Sequence, residues 1–178
     1  NNKETESKPT EIVFNYVGAP INDFQDNFDD AESLIPTYVV GQPQWGITDK
    51  ASKSGQYSLT DSPNSDYPSR ANHHVIFAPT VIAIDRPTLS WEHIALIESG
   101  DYGLVSVSTD LENWDDIASF DVNSSSEWDG TLAGSKWISE HRTLAKYIGD
   151  TVYIRFFLSS NFIKNNDGWY IDDLRLDA

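Results

Sequence analysis

The chain has 178 residues, with 28 acidic against 12 basic side chains and a formal net charge of −16. That length suits one domain with a substantial core, and an acidic balance without any basic run excludes binding to nucleic acid or anionic lipid by phosphate neutralisation. Cysteine is absent, so disulfides, thiolate metal sites and thiol catalysis are excluded too.

Asn1 to Thr10 are polar and charged around Pro9, and are expected to form a disordered tether ahead of a single domain over residues 11–178. Met is absent, even at position 1, so the chain is expected to be a processed or trimmed product. No apolar run is long enough to make a transmembrane segment. Ile12, Phe14 and Tyr16, or Val13 and Val17 on the other parity, could make a short strand or docking segment. The aromatic share of 12% argues for order beyond the ends. From about Phe24 the pattern is strand after strand. Gln56 to Thr60 follows the turn signal Ser54-Gly55. His74 to Ala78 precedes Pro79, and Thr80 to Ile84 precedes Asp85-Arg86-Pro87. Thr88 to Glu98 ends at Ser99-Gly100-Asp101, while Leu104 to Thr109 and Thr151 to Ser159 are rich in β-branched and aromatic residues. In the last of these Val152, Ile154, Phe156 and Leu158 share one parity, and Tyr153, Arg155 and Phe157 the other, as in a central strand covered on one face by a second sheet. Helical periodicity is weak, with a turn or two at Arg142 to Ile148. Period-2 alternation in the closing segment puts Trp169, Ile171, Asp173 and Arg175 on one face and Tyr170, Asp172, Leu174 and Leu176 on the other. If both faces are covered, at least one carboxylate there is buried and needs a partner. The fold class read from these elements is an all-β sandwich.

The ordered words are more specific. They run Phe28-Asp29-Asp30, Trp45, Ser54 to Pro63 and Tyr67, then Leu89-Ser90-Trp91-Glu92-His93 and Glu98 to Asp110. Trp114, Trp137, Leu144 to Gly149, Val152 to Phe156 and the ending Gly168-Trp169-Tyr170-Ile171-Asp172-Asp173 follow. This succession, over roughly Asp26 to Asp177, resembles the MAM-like jelly-roll modules of secreted bacterial proteins. They are called choice-of-anchor J domains, and similar ones accompany immune-inhibitor-A type metallopeptidases. One departure is Leu111-Glu112-Asn113, where relatives carry glycines, so that turn is expected to differ in type. The resemblance implies a two-sheet antiparallel jelly-roll β-sandwich, galactose-binding-like, used without catalysis for adhesion, substrate targeting or packing against an enzyme. It also implies a secreted or cell-surface location. Polar tethers such as Asn1 to Thr10 often follow the lipidated cysteine of a bacterial lipoprotein, so an outer-membrane lipoprotein with a lipid tether upstream of residue 1 is one expected form. Some relatives hold a structural calcium (Ca2+) near the start and end of the fold. The metallopeptidase itself is not present, because no His-Glu-x-x-His stretch occurs.

Calcium takes six to eight oxygens, and the metal-site candidates are Asp29, Asp30, Asp61, Asp172 and Asp173, brought together if first and last strands are neighbours. The competing reading leaves Asp29 and Asp30 solvated, Asp61 capping a turn, and Asp173 paired with Arg155 or Arg175. Asn165-Asn166-Asp167-Gly168 is not an EF-hand, because Ile163 and Leu174 occupy the first and twelfth ligand positions. His93 with Glu98 or Asp101 is the acid–base candidate, set against a buried histidine used for packing. His73 and His74 point apart in a strand and cannot chelate one ion together, so no zinc site is supported. No Gly-x-Ser-x-Gly elbow or phosphate-cradling loop occurs, and no catalytic residue is assigned. Trp45, Tyr102, Trp114, Trp128 and Trp137 lie in or beside loops, where a ring can stack on a sugar or a protein partner, set for each against packing in the core. The expected function is a non-catalytic extracellular or surface module binding a glycan or protein, with calcium in a structural role. The alternatives are a β-sandwich hydrolase acting on polysaccharide or peptide, and a purely structural accessory domain.

Overall fold

The computed structural model describes residues 19–30, 37–40, 45–122 and 132–178. The tether at residues 1–10 and the segment from Ile12 to Val17 lie outside the described residues. Strands in chain order are β1 (Phe24–Asp26), β2 (Thr37–Val40), β3 (Gly46–Thr48), β4 (Ser58–Thr60), β5 (Asn72–Phe77) and β6 (Thr80–Val81). They are followed by β7 (Thr88–Leu96), β8 (Tyr102–Ser108), β9 (Asp115–Phe120), β10 (Ile138–Thr143), β11 (Thr151–Ser159) and β12 (Gly168–Asp177). The first sheet has the order β10-β7-β12-β4-β3, with β1 added to β12; the second has β2-β5-β11-β8-β9, with β6 added to β11. All these strand pairs are antiparallel. The architecture is the expected two-sheet sandwich.

The core lies between the sheets. Val152, Ile154, Phe156 and Leu158 of β11 are buried there, while Thr151, Tyr153, Arg155, Phe157 and Ser159 remain partly exposed on the outer face. Phe156 meets the ring of Trp91 edge-on at 5.6 Å and that of Trp169 at 5.4 Å, joining β7, β11 and β12 across the sandwich. Such aromatic pairs add to area burial through favourable ring geometry. The only helical pieces among the described residues are 3-10 turns at Leu132–Gly134 and Ala145–Tyr147. Arg142 and Thr143, read as part of a helical turn, belong to β10. Thr80 to Ile84 is shorter than expected, because Ile82 turns away to exchange backbone bonds with Gly149 and Asp150.

The closing strand departs from strict alternation. β12 pairs with β7 in register from Gly168 to Asp172 and again from Arg175 to Asp177, with one extra residue between. Asp173 takes up that residue in the left-handed region, at φ 45°. A bulge of this kind shifts the side-chain phase by one. Trp169 and Ile171 face the main core before it, and Leu174 and Leu176 face the same core after it. The expected grouping of Leu174 and Leu176 with Tyr170 is therefore corrected. First and last strands are neighbours, as expected: β12 pairs with β4 through Tyr170 and Ile171, then with β1 through Leu174 to Leu176 on the same edge.

Candidate ligand-binding face

At the junction where β4 gives way to β1, the segment 53–57 is held by carboxylates. Asp172 Oδ2 accepts the backbone N–H groups of Lys53 (2.6 Å) and Ser54 (3.1 Å), and its Oδ1 accepts that of Asp173 (2.7 Å). Asp173 Oδ1 accepts the Ser54 hydroxyl (2.6 Å), and Asp29 Oδ1 accepts the N–H groups of Gln56 and Tyr57. A Cβ at Gly55 would fall directly on the Asp29 carboxylate, and Gly55 has φ 60°. Burial pushes the Asp172 carboxyl up to about 6, against the pull of its three N–H donors.

Asp61 is not part of this clamp. Its Oδ1 accepts the Trp169 N–H (2.6 Å), and its Oδ2 lies 3.5 Å from His73 Nε2, with both side chains buried. Asp30 is exposed. Among the described residues no three His, Cys, Asp or Glu side chains form a group that could hold a metal ion. The donor chemistry agrees: Asp29 Oδ1 and Asp172 Oδ2 each already serve two N–H groups, where calcium needs oxygen lone pairs. Of the five acids, Asp29, Asp172 and Asp173 hold the 53–57 segment together, while Asp61 and Asp30 lie apart from them. The arginine alternative for Asp173 is also corrected, since Arg175 pairs with Asp177 at 2.7 Å and Arg155 is engaged elsewhere.

The acid–base candidates are structural. His93 is buried, and its Nδ1 accepts the Trp169 indole N–H at 2.9 Å. Burial lowers its pKa to about 4, so it is neutral at pH 7. Buried Asp101 accepts the Tyr67 hydroxyl (2.8 Å) and the Asn161 N–H (2.7 Å), while Glu98 accepts Lys164 (2.7 Å) and Asn166 (3.1 Å). Glu92 faces the other way, towards Ser139 and Lys53. His73 and His74 do point apart, His73 inward and His74 outward.

The aromatic candidates separate by face. Trp45 is corrected to the core: it is 4% exposed and packs edge-on against Trp169 at 6.0 Å. Trp128 lies outside the described residues. Trp137 lines a groove of about 470 Å³ on the outer face of the first sheet, with Ile94, Leu132, Ala51 and Lys50. Tyr102 and Trp114 lie on the outer face of the second sheet, where the register brings further side chains that the sequence reading did not single out. Phe157 pairs with Leu104 of β8 and His74 of β5, and Arg155 pairs with Ser106. Tyr102 is 41% exposed, with its ring 6.4 Å from that of Phe157; the His74 ring is 5.9 Å from Phe157 on the other side. The Arg155 guanidinium lies 4.2 Å from the Trp114 ring centre and 5.1 Å from that of Phe157. The outward parity of β11 was the available signal for Phe157 and Arg155.

Trp114 is placed by the β8–β9 turn. Leu111 has φ 65° where a glycine would be unstrained. Asp110 secures the turn, with Oδ1 accepting the N–H groups of Glu112 and Asn113 and Oδ2 the Asn113 amide. These bonds hold the Asp110 carboxyl well below the usual carboxylate range. The Trp114 indole N–H donates to Leu111 O at 3.2 Å.

No family model matches the chain. It is 27% identical over 142 residues to Bacillopeptidase F of Bacillus subtilis (strain 168), a match that takes in 75% of this chain and 9% of that protein's length. Among solved structures, the K1 cleaved adhesin domain of Lys-gingipain from Porphyromonas gingivalis W83 superposes with a TM-score of 0.60 at 10% identity, covering 88% of this chain and 98% of that one. TmCBM61 in complex with beta-1,4-galactotriose superposes with a TM-score of 0.54 at 14% identity, covering 79% and 87%. These likenesses establish the β-sandwich fold.

Proposed function

We propose that the chain is a non-catalytic binding module of a secreted or surface-displayed protein, and that the outer face of its second sheet takes a glycan. The observation that carries this reading is the group of partly exposed rings, Tyr102 of β8, Phe157 of β11 and Trp114 of the β8–β9 turn, with Arg155 set between two of them. Flat aromatic faces take up the apolar C–H face of a sugar ring, and polar groups at their edges meet its hydroxyls. The fold shared with an adhesin domain and with a galactotriose-bound domain supports the reading. The ordered words of the sequence support a finer assignment to the MAM-like, choice-of-anchor J type, and the polar segment Asn1 to Thr10 supports a lipid tether upstream. His93, Glu98 and Asp101, the residues a hydrolase would need, are instead spent on holding the core and the 160–167 loop.

Electrophoresis through gels containing a panel of plant and bacterial polysaccharides tests the proposal. Migration is retarded by at least one glycan, Tyr102→Ala and Phe157→Ala abolish the retardation, and Trp137→Ala on the opposite sheet does not. Failure of every glycan to retard the protein would leave the purely structural accessory role in its place.

A further inference from the structure

Resting on that reading, we infer that the glycan carries an isolated carboxylate, from a uronic or sialic acid in an otherwise neutral chain, and that Arg155 is the residue that selects it. The Arg155 guanidinium carbon lies over the rings of Trp114 and Phe157 at 4.2 and 5.1 Å, and polar recognition by this group falls to its N–H donors. A guanidinium has five N–H donors. Here Nη2 donates to Ser106 Oγ at 3.2 Å, and Nε is buried without a hydrogen-bond partner. Among the described residues no carboxylate is within ion-pair distance of it. The nearby acid, Asp116, instead accepts the Ser106 hydroxyl at 2.7 Å. A half-buried cation lacking a direct counter-ion is costly, and a planar, two-oxygen anion approaching in the guanidinium plane is the partner that completes it.

A second unmet group sits beside it. His74 Nδ1 is also buried without a hydrogen-bond partner, and lies opposite Phe157 across the β5–β11 pair. Burial, reinforced by the Arg155 charge, lowers the His74 pKa to about 4, so at pH 7 the imidazole is neutral and matched to a hydroxyl rather than to a second anion. The face thus offers one cation, an acid in Asp116 already engaged by Ser106, one neutral polar group and a set of rings. A polyanion is disfavoured, because the net charge of −16 repels each further acidic sugar, whereas a single carboxylate at contact distance feels Arg155 most strongly once salt screens the remainder beyond roughly 8 Å.

The test uses glycans bearing one uronic or sialic acid, each beside its carboxyl-reduced counterpart, with the full chain and its Arg155→Gln, Arg155→Lys and Tyr102→Ala variants, all checked by thermal melting. The acidic member is expected to bind about tenfold or more tightly than its reduced form. Arg155→Gln erases that ratio, and Arg155→Lys, which keeps the charge but not the fork, retains part of it. Equal binding of acidic and reduced forms, or a ratio unchanged in Arg155→Gln, overturns the inference. Binding that depends on Tyr102 without acid preference defeats this inference alone, whereas no binding to any glycan defeats the glycan reading beneath it.

Discussion

Trp45 and Tyr102 show how position decides whether a ring packs or binds. Both were legible as aromatic residues beside turn-rich sequence, but only the register of β8 against β11 shows Tyr102 facing outward, and only the contact with Trp169 shows Trp45 facing in. Trp45→Ala should cost about 3–5 kcal/mol, as for a truncated core aromatic, without changing glycan retardation. Tyr102→Ala should do the reverse, abolishing retardation with a stability change within about 0.5 kcal/mol; urea titration beside affinity gels separates the two. Asp172 is a third instructive residue. Two adjacent acids in a strand correctly signalled a buried carboxylate with a structural task, yet the partners were hidden, because backbone N–H groups more than a hundred positions away leave no mark in side-chain pattern. Asp172→Asn places an NH2 where one oxygen meets N–H donors, and should cost roughly 1–3 kcal/mol at pH 7.

At the scale of elements, β12 is organised around the bulge at Asp173. Its first half closes on β4 and its second on β1, and the clamp of Asp29, Asp172 and Asp173 fills the gap with the 53–57 segment. Gly55→Ala should destabilise the domain by about 2 kcal/mol or more, since the left-handed backbone alone costs about 1–2 for a residue with a Cβ and the Asp29 carboxylate occupies the space besides. The clamp also bears on calcium. Because both oxygens of Asp29 and Asp172 and one of Asp173 already accept N–H or O–H donors, thermal melts in millimolar calcium and in chelator are expected to coincide; a clear rise with calcium would show that a cation joins the clamp, by the mass action of a ligand that binds only the folded state. Strands with strong apolar alternation, β7, β8 and β11, were readable in the sequence because burial imposes the period. β10 was not: as an edge strand of the first sheet its sequence, Ile138 to Thr143, is mostly exposed, so no core face imprinted a pattern on it. The bulge in β12 was equally silent, since a period of two carries no marker for one inserted residue.

For the molecule as a whole, the two outer faces differ while sharing one core, and that core couples the buried titratable groups to overall stability. His74 and His93 have folded-state pKa values lowered to about 4, below the ordinary value near 6.5. Their contribution is therefore present above about pH 6.5 and is lost as the pH falls towards 4, because the unfolded chain binds protons that the folded chain refuses. Asp172 runs the other way: raised to about 6, it favours the folded state most below about pH 4 and loses that advantage as the pH rises through 6. Between pH 4 and 6 the unfolded chain thus gains up to two protons through the histidines while the folded chain holds up to one more at Asp172. At about 1.4 kcal/mol per pH unit for each proton, stability should fall on acidification by up to about 1.4 kcal/mol per unit across that window. Denaturant unfolding at intervals from pH 7 to pH 4 measures this slope. His74→Leu, which removes one titrating group from the outer face, should flatten it almost completely, and Asp172→Asn should roughly double it. A wild-type stability that rises as the pH drops through this range would mean that relief of the −16 self-repulsion outweighs the imidazoles of His74 and His93.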